Sequence, residues 1–174
     1  MKRVLCIIIA IIMTAILTGC WDRVEAKQLG LITSVLYDIT EDNQYYIVLE
    51  LRNPSAIGSS VGGGSGDSPR ITVSATGESF PEALRKVSMV LEKPVFGGHN
   101  KVRFISENHA KKGVFNMFDY TSRDYIADER TFIVVVKAED PKSIYEVKIG
   151  LSDLVGEHIG DLAQNQEKMN ARAV

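Results

Sequence analysis

The fold class of this chain is indicated most clearly by RITVSATGESFPEALRKVSMVL, residues 70–91. The first six residues are rich in β-branched side chains and predict a strand, and Thr76-Gly77 predicts a turn. Ser79 stands three residues before Glu82, with a proline between them, which is the pattern of a helix-capping box with an early-helix proline. Apolar residues then recur at helical spacing, at Phe80, Ala83, Leu84, Val87, Val90 and Leu91. A strand followed by an amphipathic helix indicates a domain that mixes both elements.

Two strands are predicted before this segment. Residues 28–39 are mostly apolar, and residues 40–43 (Thr-Glu-Asp-Asn) predict a turn. Residues 45–51 alternate with a period of two, which places four apolar side chains on one face: Tyr45, Ile47, Leu49 and Leu51. The two strands therefore predict a hairpin.

Two further strands are predicted after the helix. Residues 101–106 are centred on Val102, Phe104 and Ile105 and predict a short strand. Residues 132–136 (FIVVV) are uninterrupted apolar and β-preferring residues. Such a run is typical of a central strand that is covered on both faces.

The remaining periodic segments predict helices. Ala110, Val114, Phe115 and Phe118 indicate a helical stretch that Gly113 weakens, and Asp140-Pro141 begins a turn or short helix. A last helix is predicted from Ser152, with an apolar face formed by Leu151, Leu154, Val155, Ile159 and Leu162. This helix either packs back on the domain or leads into a further part. The fold class expected is α+β: a mixed or antiparallel sheet packed with two to three helices, in a domain over residues 20–148 followed by a helical segment at 149–174.

Composition limits the class of protein. The chain has 174 residues, of which 45% are apolar, and a formal net charge of −2. Without residues 1–19, the apolar fraction falls to about 41% and the net charge becomes −4. These values fit one folded domain and exclude a disordered tail, a multi-span membrane protein and a basic nucleic-acid binder.

The N-terminus has the order of a secretory signal peptide. Lys2 and Arg3 precede residues 4–17, of which 13 of 14 are apolar. This run is shorter than the roughly 20 residues of a spanning helix, although an uncleaved anchor helix is the alternative. Leu17-Thr18-Gly19-Cys20 resembles the lipobox of bacterial lipoproteins. That resemblance implies cleavage between Gly19 and Cys20, with a diacylglycerol on the Cys20 sulfur and an acyl group on its new amino group.

Cysteine usage agrees with a lipid anchor. The chain has two cysteines, Cys6 and Cys20, and Cys6 lies in the segment that cleavage would remove. A lone cysteine in an exported chain needs a chemical explanation, and lipidation supplies one. Two acyl chains are enough for stable attachment to membrane lipid. For neighbouring Trp21 two locations are predicted with equal weight, the membrane interface and the core of the domain.

No catalytic, metal or cofactor site is predicted. The Gly/Ser-rich segment 58–68 lacks the Gly-Lys-Ser/Thr ending of a phosphate-binding loop, so it predicts a flexible surface loop. The three histidines, His99, His109 and His158, do not have the spacing of metal ligands. Acidic and basic residues alternate between Asp119 and Arg130, as on a solvated surface. The chain is therefore predicted not to be an enzyme and not to bind nucleic acid.

An ordered set of short motifs follows the lipobox. It begins with Cys20-Trp21-Asp22, Glu25 and Leu29-Gly30 and continues with Ala75-Thr76-Gly77, Glu82-Ala83, His99, residues 110–113, Arg123-Asp124, Arg130 and the strand 131–136. Over residues 20 to about 148 this set resembles the Ger(x)C spore-germination lipoproteins, the C subunits of nutrient germinant receptors. Each motif is short, and their order gives the resemblance its specificity.

The resemblance implies a function without catalysis. It implies a subunit anchored through Cys20 on the outer face of the cell membrane or spore inner membrane. There it would assemble with integral-membrane A-type and B-type subunits, and it would be needed for germination in response to nutrients. Members of the family are longer, so we expect this chain to hold the N-terminal domain only, with 149–174 the start of the missing region. The alternative is an exported solute-binding lipoprotein, against which the one-domain size argues.

Overall fold

The computed structural model describes residues 3–4, 30–53, 68–91, 94–123, 130–147 and 153–172. The strands are β1 (Gly30–Ile39), β2 (Tyr45–Arg52), β3 (Arg70–Gly77), β4 (Val95–Phe96), β5 (Val102–Ser106) and β6 (Phe132–Val136). The helices are α1 (Phe80–Leu91), α2 (Glu107–Lys112), α3 (Phe115–Arg123) and α4 (Val155–Arg172), with a 3₁₀ helix at Pro141–Glu146. This mixture of one sheet and several helices confirms the α+β fold class.

The sheet is mixed, with the main order β3-β2-β1-β5-β6. β2 is antiparallel to both of its neighbours, β1 and β3, while β5 is parallel to β1 and β6 is parallel to β5. The short β4 pairs in parallel with the first residues of β1. The predicted β1–β2 hairpin is confirmed, and Asn43 in its turn adopts a φ of 58°. Asparagine tolerates this left-handed conformation better than most residues.

The connection from β3 to α1 is tighter than the sequence suggests. β3 continues through the predicted Thr76-Gly77 turn, and Gly77 pairs with Tyr45. A Cβ at Gly77 would lie 2.7 Å from the backbone nitrogen of Ala83, so only glycine permits this approach. The predicted cap is confirmed, because the Glu82 N–H donates to Ser79 Oγ over 3.4 Å.

The two faces of the sheet carry separate cores, because alternate residues of each strand point to opposite sides. The first face packs against α1, α2 and α3 and is centred on Val35, Tyr37, Leu49, Phe80, Val87 and Met117. The second face packs against the 3₁₀ helix and the start of α4 and is centred on Leu36, Val48, Phe104, Tyr145 and Val155. The sheet is thus covered by helices on both sides.

The prediction for residues 132–136 is wrong in one respect. They form strand β6, but within the described residues β6 pairs only with β5 and lies at an edge of the sheet. Ile133 is 47% exposed and Val135 is 55% exposed, whereas Val136 is buried on the second face. The buried side chains of α1 and α3 pack with strands β1, β2 and β5. An apolar run predicts burial, but it does not say how far the covering helices extend.

Two predicted helix faces are wider than the observed ones. Val90 is exposed because it lies about 80° around α1 from Phe80, at the margin of the apolar face. Leu162 is also exposed, because the buried part of α4 ends at Gly160. Gly113, with a φ of 107°, divides the other predicted helical stretch into α2 and α3.

Candidate functional site

The predicted anchor residues, Leu17, Thr18, Gly19 and Cys20, lie outside the described residues. Trp21 and residues 58–67 of the Gly/Ser segment lie outside them as well. The first strand begins at Gly30, ten residues after Cys20 in the sequence. In the described parts of the chain, no helix is both long enough and apolar enough to cross a membrane.

The most elaborate polar arrangement in the described fold surrounds Glu50. Glu50 is fully buried on β2, on the face opposite Leu49 and Leu51. Its Oε1 accepts the backbone N–H of Val155 over 2.7 Å, and its Oε2 accepts that of Gly156 over 2.9 Å. Two hydroxyl groups of β1 also donate to Oε2: those of Thr33 at 2.8 Å and Ser34 at 2.9 Å. We call these five residues the Glu50 clasp.

The Glu50 clasp fixes the beginning of α4. The residue before α4 is Leu154, whose side chain has no oxygen to accept the free N–H groups of the first turn. Glu50, 105 residues earlier in the chain, supplies that acceptor. Its negative charge also lies at the positive end of the helix dipole. The sequence signal for this contact is weak: Glu50 is the one charged residue among the apolar residues 45–51, and the distant helix lacks a capping residue.

Close packing continues beyond the clasp. A Cβ at Gly156 would lie 2.6 Å from the Thr33 carbonyl oxygen, and a Cβ at Gly160 would lie 2.6 Å from Lys101 Cβ. Glycine at these two positions therefore lets α4 approach the sheet closely. Tyr145 lies under the same helix, with its hydroxyl 3.2 Å from Ser34 Oγ, and burial raises the pKa of Tyr145 well above its usual range.

Ion pairs lie at the margin of this contact. Arg52 pairs with Glu157, and Lys101 Nζ lies 2.6 Å from Asp161 Oδ1. All four side chains are partly exposed to solvent, so each pair contributes little to stability. The clasp and the glycines, which are buried, hold α4 more strongly than these pairs do.

The three histidines have separate environments. His109 is buried in α2, His99 is exposed between β4 and β5, and His158 lies in α4. Among the described residues, no group of three or more His, Cys, Asp or Glu side chains is placed to hold a metal ion. The predicted mixed-charge surface is seen at Asp119, whose carboxylate accepts from Arg123 over 2.8 Å. Asp124, Asp128 and Glu129 lie outside the described residues.

His109 is a structural residue whose burial the sequence did not reveal. Its ring lies 5.5 Å from the ring of Phe80, between centroids, and its Nδ1 has no hydrogen-bond partner. Burial lowers the pKa of His109, although a hydrogen bond with the Tyr37 backbone and the charge of Asp38 oppose part of this effect. The imidazole is therefore stabilised in its neutral form.

A cavity beneath α1 bears on the solute-binding alternative. It lies between the sheet and the helix, has a volume of about 50 Å³, and is lined mainly by apolar groups, among them Val35, Leu49 and Leu84. Sites for small molecules usually have volumes of roughly 300–1,000 Å³. This cavity cannot hold an amino acid or a sugar, so it gives the alternative no support.

A wider groove lies between α3 and β6. Its volume is about 470 Å³, and Phe115, Phe118 and Thr121 line it on the helix side and Ile133 on the strand side. Phe115 is 78% exposed at its rim. Together with Ile133 and Val135, it forms what we call the β6 patch, an apolar surface beside the sheet edge. Exposed apolar patches of this kind mark contacts with other molecules.

Comparison with known proteins identifies the family. The sequence profile of the spore germination protein N-terminal domain matches residues 22–173, which is most of the chain. The chain belongs to this family. The match confirms the resemblance seen in the ordered motifs that follow the lipobox.

This chain is similar to two curated proteins from Bacillus subtilis (strain 168). Spore germination protein KC is 33% identical over 151 residues, which are 85% of this chain and 37% of that protein. The putative spore germination protein YfkR is 27% identical over 159 residues, which are 90% of this chain and 41% of that protein. The chain thus spans about two fifths of the length of these curated relatives. No solved structure matches it significantly.

Proposed function

We propose that this chain is a lipid-anchored subunit of a spore nutrient germinant receptor and acts in germination without catalysing a reaction. Cys20 carries the lipid, and the folded domain lies on the outer face of the cell membrane or spore inner membrane. There it assembles with integral-membrane A-type and B-type subunits. The observation that carries the proposal is the family match over residues 22–173, which begins two residues after the lipobox cysteine.

The arrangement of buried polar groups supports a role without catalysis. Glu50, Thr33 and Ser34 are directed at the start of α4, and Tyr145 packs under the same helix. These groups fix one element against another, which is a structural task. The exposed β6 patch, in contrast, offers apolar surface to another molecule.

The anchor is tested by replacing Cys20 with alanine in the only copy of the gene in a spore-forming host. Cys6→Ala is the matched control, because it removes the other cysteine from the segment that cleavage discards. We expect Cys20→Ala to abolish labelling by palmitate, to release the chain from the membrane and to reduce the nutrient response of spores. Cys6→Ala should leave all three unchanged.

Each part of the proposal has its own contrary result. Palmitate labelling that persists in Cys20→Ala would place the lipid elsewhere or refute lipidation. Normal germination of spores in which the unlabelled variant is the only copy would refute the need for the anchor. Failure of the wild-type chain to co-purify with integral-membrane subunits from spore membranes would refute the proposed assembly.

A further inference from the structure

Strand β6 is an edge strand without the usual protection. Natural edge strands are shielded by prolines, charged side chains within the strand, bulges or covering elements. Phe132–Val136 contains neither proline nor charge, and its pairing with β5 runs through five residues without a bulge. Among the described residues, no other strand pairs with it. The first charged residue after the strand is Lys137, which follows Val136 directly.

The strand is complementary to a second copy of itself. In an antiparallel pair centred on Val134, Ile133 of one copy lies opposite Val135 of the other, and Phe132 lies opposite Val136. Residues directly opposite each other share a face of the sheet. The exposed Ile133 and Val135 of the two copies therefore meet on the first face, and Phe132 and Val136 meet on the second face, beside the core. The flanking pair is Thr131 with Lys137, so no like charges face each other.

The two-fold axis of such a pair is perpendicular to the sheet. The first faces of the two copies therefore lie on the same side of the joined sheet, and the two β6 patches become continuous. Ile133, Val135 and Phe115 of each copy then contribute to one apolar strip. A heterologous partner would have to supply the same alternation of side chains, which the second copy already has.

The area indicates a weak contact. The exposed fractions of Phe115, Ile133 and Val135 amount to on the order of 300 Å² per copy, since a single aromatic side chain has about 150–250 Å². Two copies would bury roughly 600 Å² of this apolar surface, below the 1,200 Å² or so of stable specific complexes. The contact is therefore reversible, with a dissociation constant above those of permanent dimers.

From these observations we infer that β6 is a self-association edge, at which two copies of this chain join their sheets antiparallel about Val134. The contact is isologous, so it closes after two copies and does not propagate. It is independent of the anchor and of the receptor partners proposed above.

Disulfide trapping in the purified full-length chain tests this geometry. Opposite Cα atoms of an antiparallel pair lie about 4.5–5.5 Å apart, which permits a disulfide between two copies of Val134→Cys. Ile71→Cys is the matched control, since Ile71 is part-exposed on β3 at the other edge of the sheet. We expect a covalent dimer for Val134→Cys only, with mass spectrometry locating the bond between the two residues 134 and not at Cys20.

A second substitution tests the β6 patch. Val135→Lys, added to Val134→Cys, should reduce the dimer about tenfold, because it places a charge in the apolar strip of each copy. Ile71→Lys in the same background should not reduce it. Sedimentation of chains without the engineered cysteine should show an average mass that rises with concentration in the wild type and not in Val135→Lys, which keeps the test valid if Val134→Cys folds poorly.

Three results would overturn the inference. The first is a folded Val134→Cys chain that cross-links no more than Ile71→Cys. The second is a wild-type mass that does not change with concentration. The third is trapping of residue 134 in membranes to another protein while the 134–134 bond is absent, which would assign the edge to a different partner.

Discussion

Glu50 shows how one residue can determine where a helix lies. A carboxylate loses several kcal/mol of solvation when it is buried, and only strong compensating contacts make such burial stable. Here two backbone N–H groups, two hydroxyl groups and the positive end of α4 surround it. The same contacts that stabilise the charge therefore attach the helix to the sheet.

Glu50→Gln should destabilise the fold by about 2–4 kcal/mol. The amide keeps the shape, but its NH₂ group must face the N–H of either Val155 or Gly156, because the two carboxylate oxygens accept one each. Urea unfolding followed by circular dichroism measures the change. Glu41→Gln, at an exposed turn position, is the control and should change stability by less than about 0.5 kcal/mol. Equal effects of the two substitutions would contradict a special role for Glu50.

His109 predicts a pH dependence of stability. Burial lowers its pKa in the folded state, while the unfolded value is about 6.5. The unfolded chain then binds more protons below that pH, so the stability that neutral His109 contributes is fully present above about pH 6.5 and is lost as the pH falls from there toward the folded pKa.

The substitution His109→Leu removes this titration. Unfolding free energies measured between pH 7.5 and pH 5 should fall less steeply for His109→Leu than for the wild type. Exposed His99 provides the control, because His99→Leu should keep the wild-type slope. A wild-type slope in His109→Leu would show that carboxylates alone cause the acid sensitivity.

At the scale of elements, α4 illustrates how glycine serves packing. Glycine normally weakens a helix by roughly 1 kcal/mol relative to alanine. Gly156 and Gly160 nevertheless lie within α4, one turn apart and on the side that contacts β1 and β5. Their missing side chains allow the backbone of the helix to approach Thr33 and Lys101, so that Val155 and Gly156 reach Glu50.

Gly156→Ala should therefore be destabilising although alanine favours helices. The gain in helix propensity is at most about 1 kcal/mol. The new methyl group, however, would lie 2.6 Å from the Thr33 carbonyl oxygen and would also clash with Ser34, and the backbone of β1 cannot move away from it. We expect a net loss of about 2 kcal/mol in urea unfolding. Gln164→Ala, exposed on the same helix, should be neutral or slightly stabilising. A stabilised Gly156→Ala would show that α4 packs less closely.

In the whole molecule, the two faces of the sheet are covered by helices from different parts of the chain. The helices α1, α2 and α3 cover the first face, whereas the 3₁₀ helix and the first turns of α4 cover the second face. The second face depends on a contact between Glu50 and Val155, 105 residues apart. The buried carboxylate of Glu50 thus joins the start of α4 to the sheet, beside the packing of Val155 and Gly156.

Hydrogen exchange should separate the two faces. In Glu50→Gln, amides of the first two turns of α4 should exchange faster than in the wild type, since the helix start loses an acceptor and detaches more readily. Amides of α1, on the opposite face, should be accelerated less, because only those that exchange through global unfolding respond to the substitution. A uniform increase over both helices would show that the clasp supports the entire fold and not α4 alone.

Much of this architecture could be predicted from local patterns. The β1–β2 hairpin and the capped start of α1 follow from period, turn residues and Ser79 with Glu82, all within a few positions of one another. Gly113 weakens the helical stretch predicted there, and the structure divides that stretch into α2 and α3 at this residue. Glu50 and His109 could not be recognised as buried, because their neighbours in sequence do not reveal what packs on them.

The sequence by itself determined the mixed class of the fold, the strands other than the short β4, the first helix and the family, and it predicts the anchor at Cys20. These properties depend on residues that are near each other along the chain or on their order. Only the tertiary structure decided that β6 lies at an edge, that α4 rests on Glu50 and that Tyr145 and His109 are buried. Each of these depends on groups far apart in the chain that folding brings into contact, and burial is a property of what surrounds a residue in space.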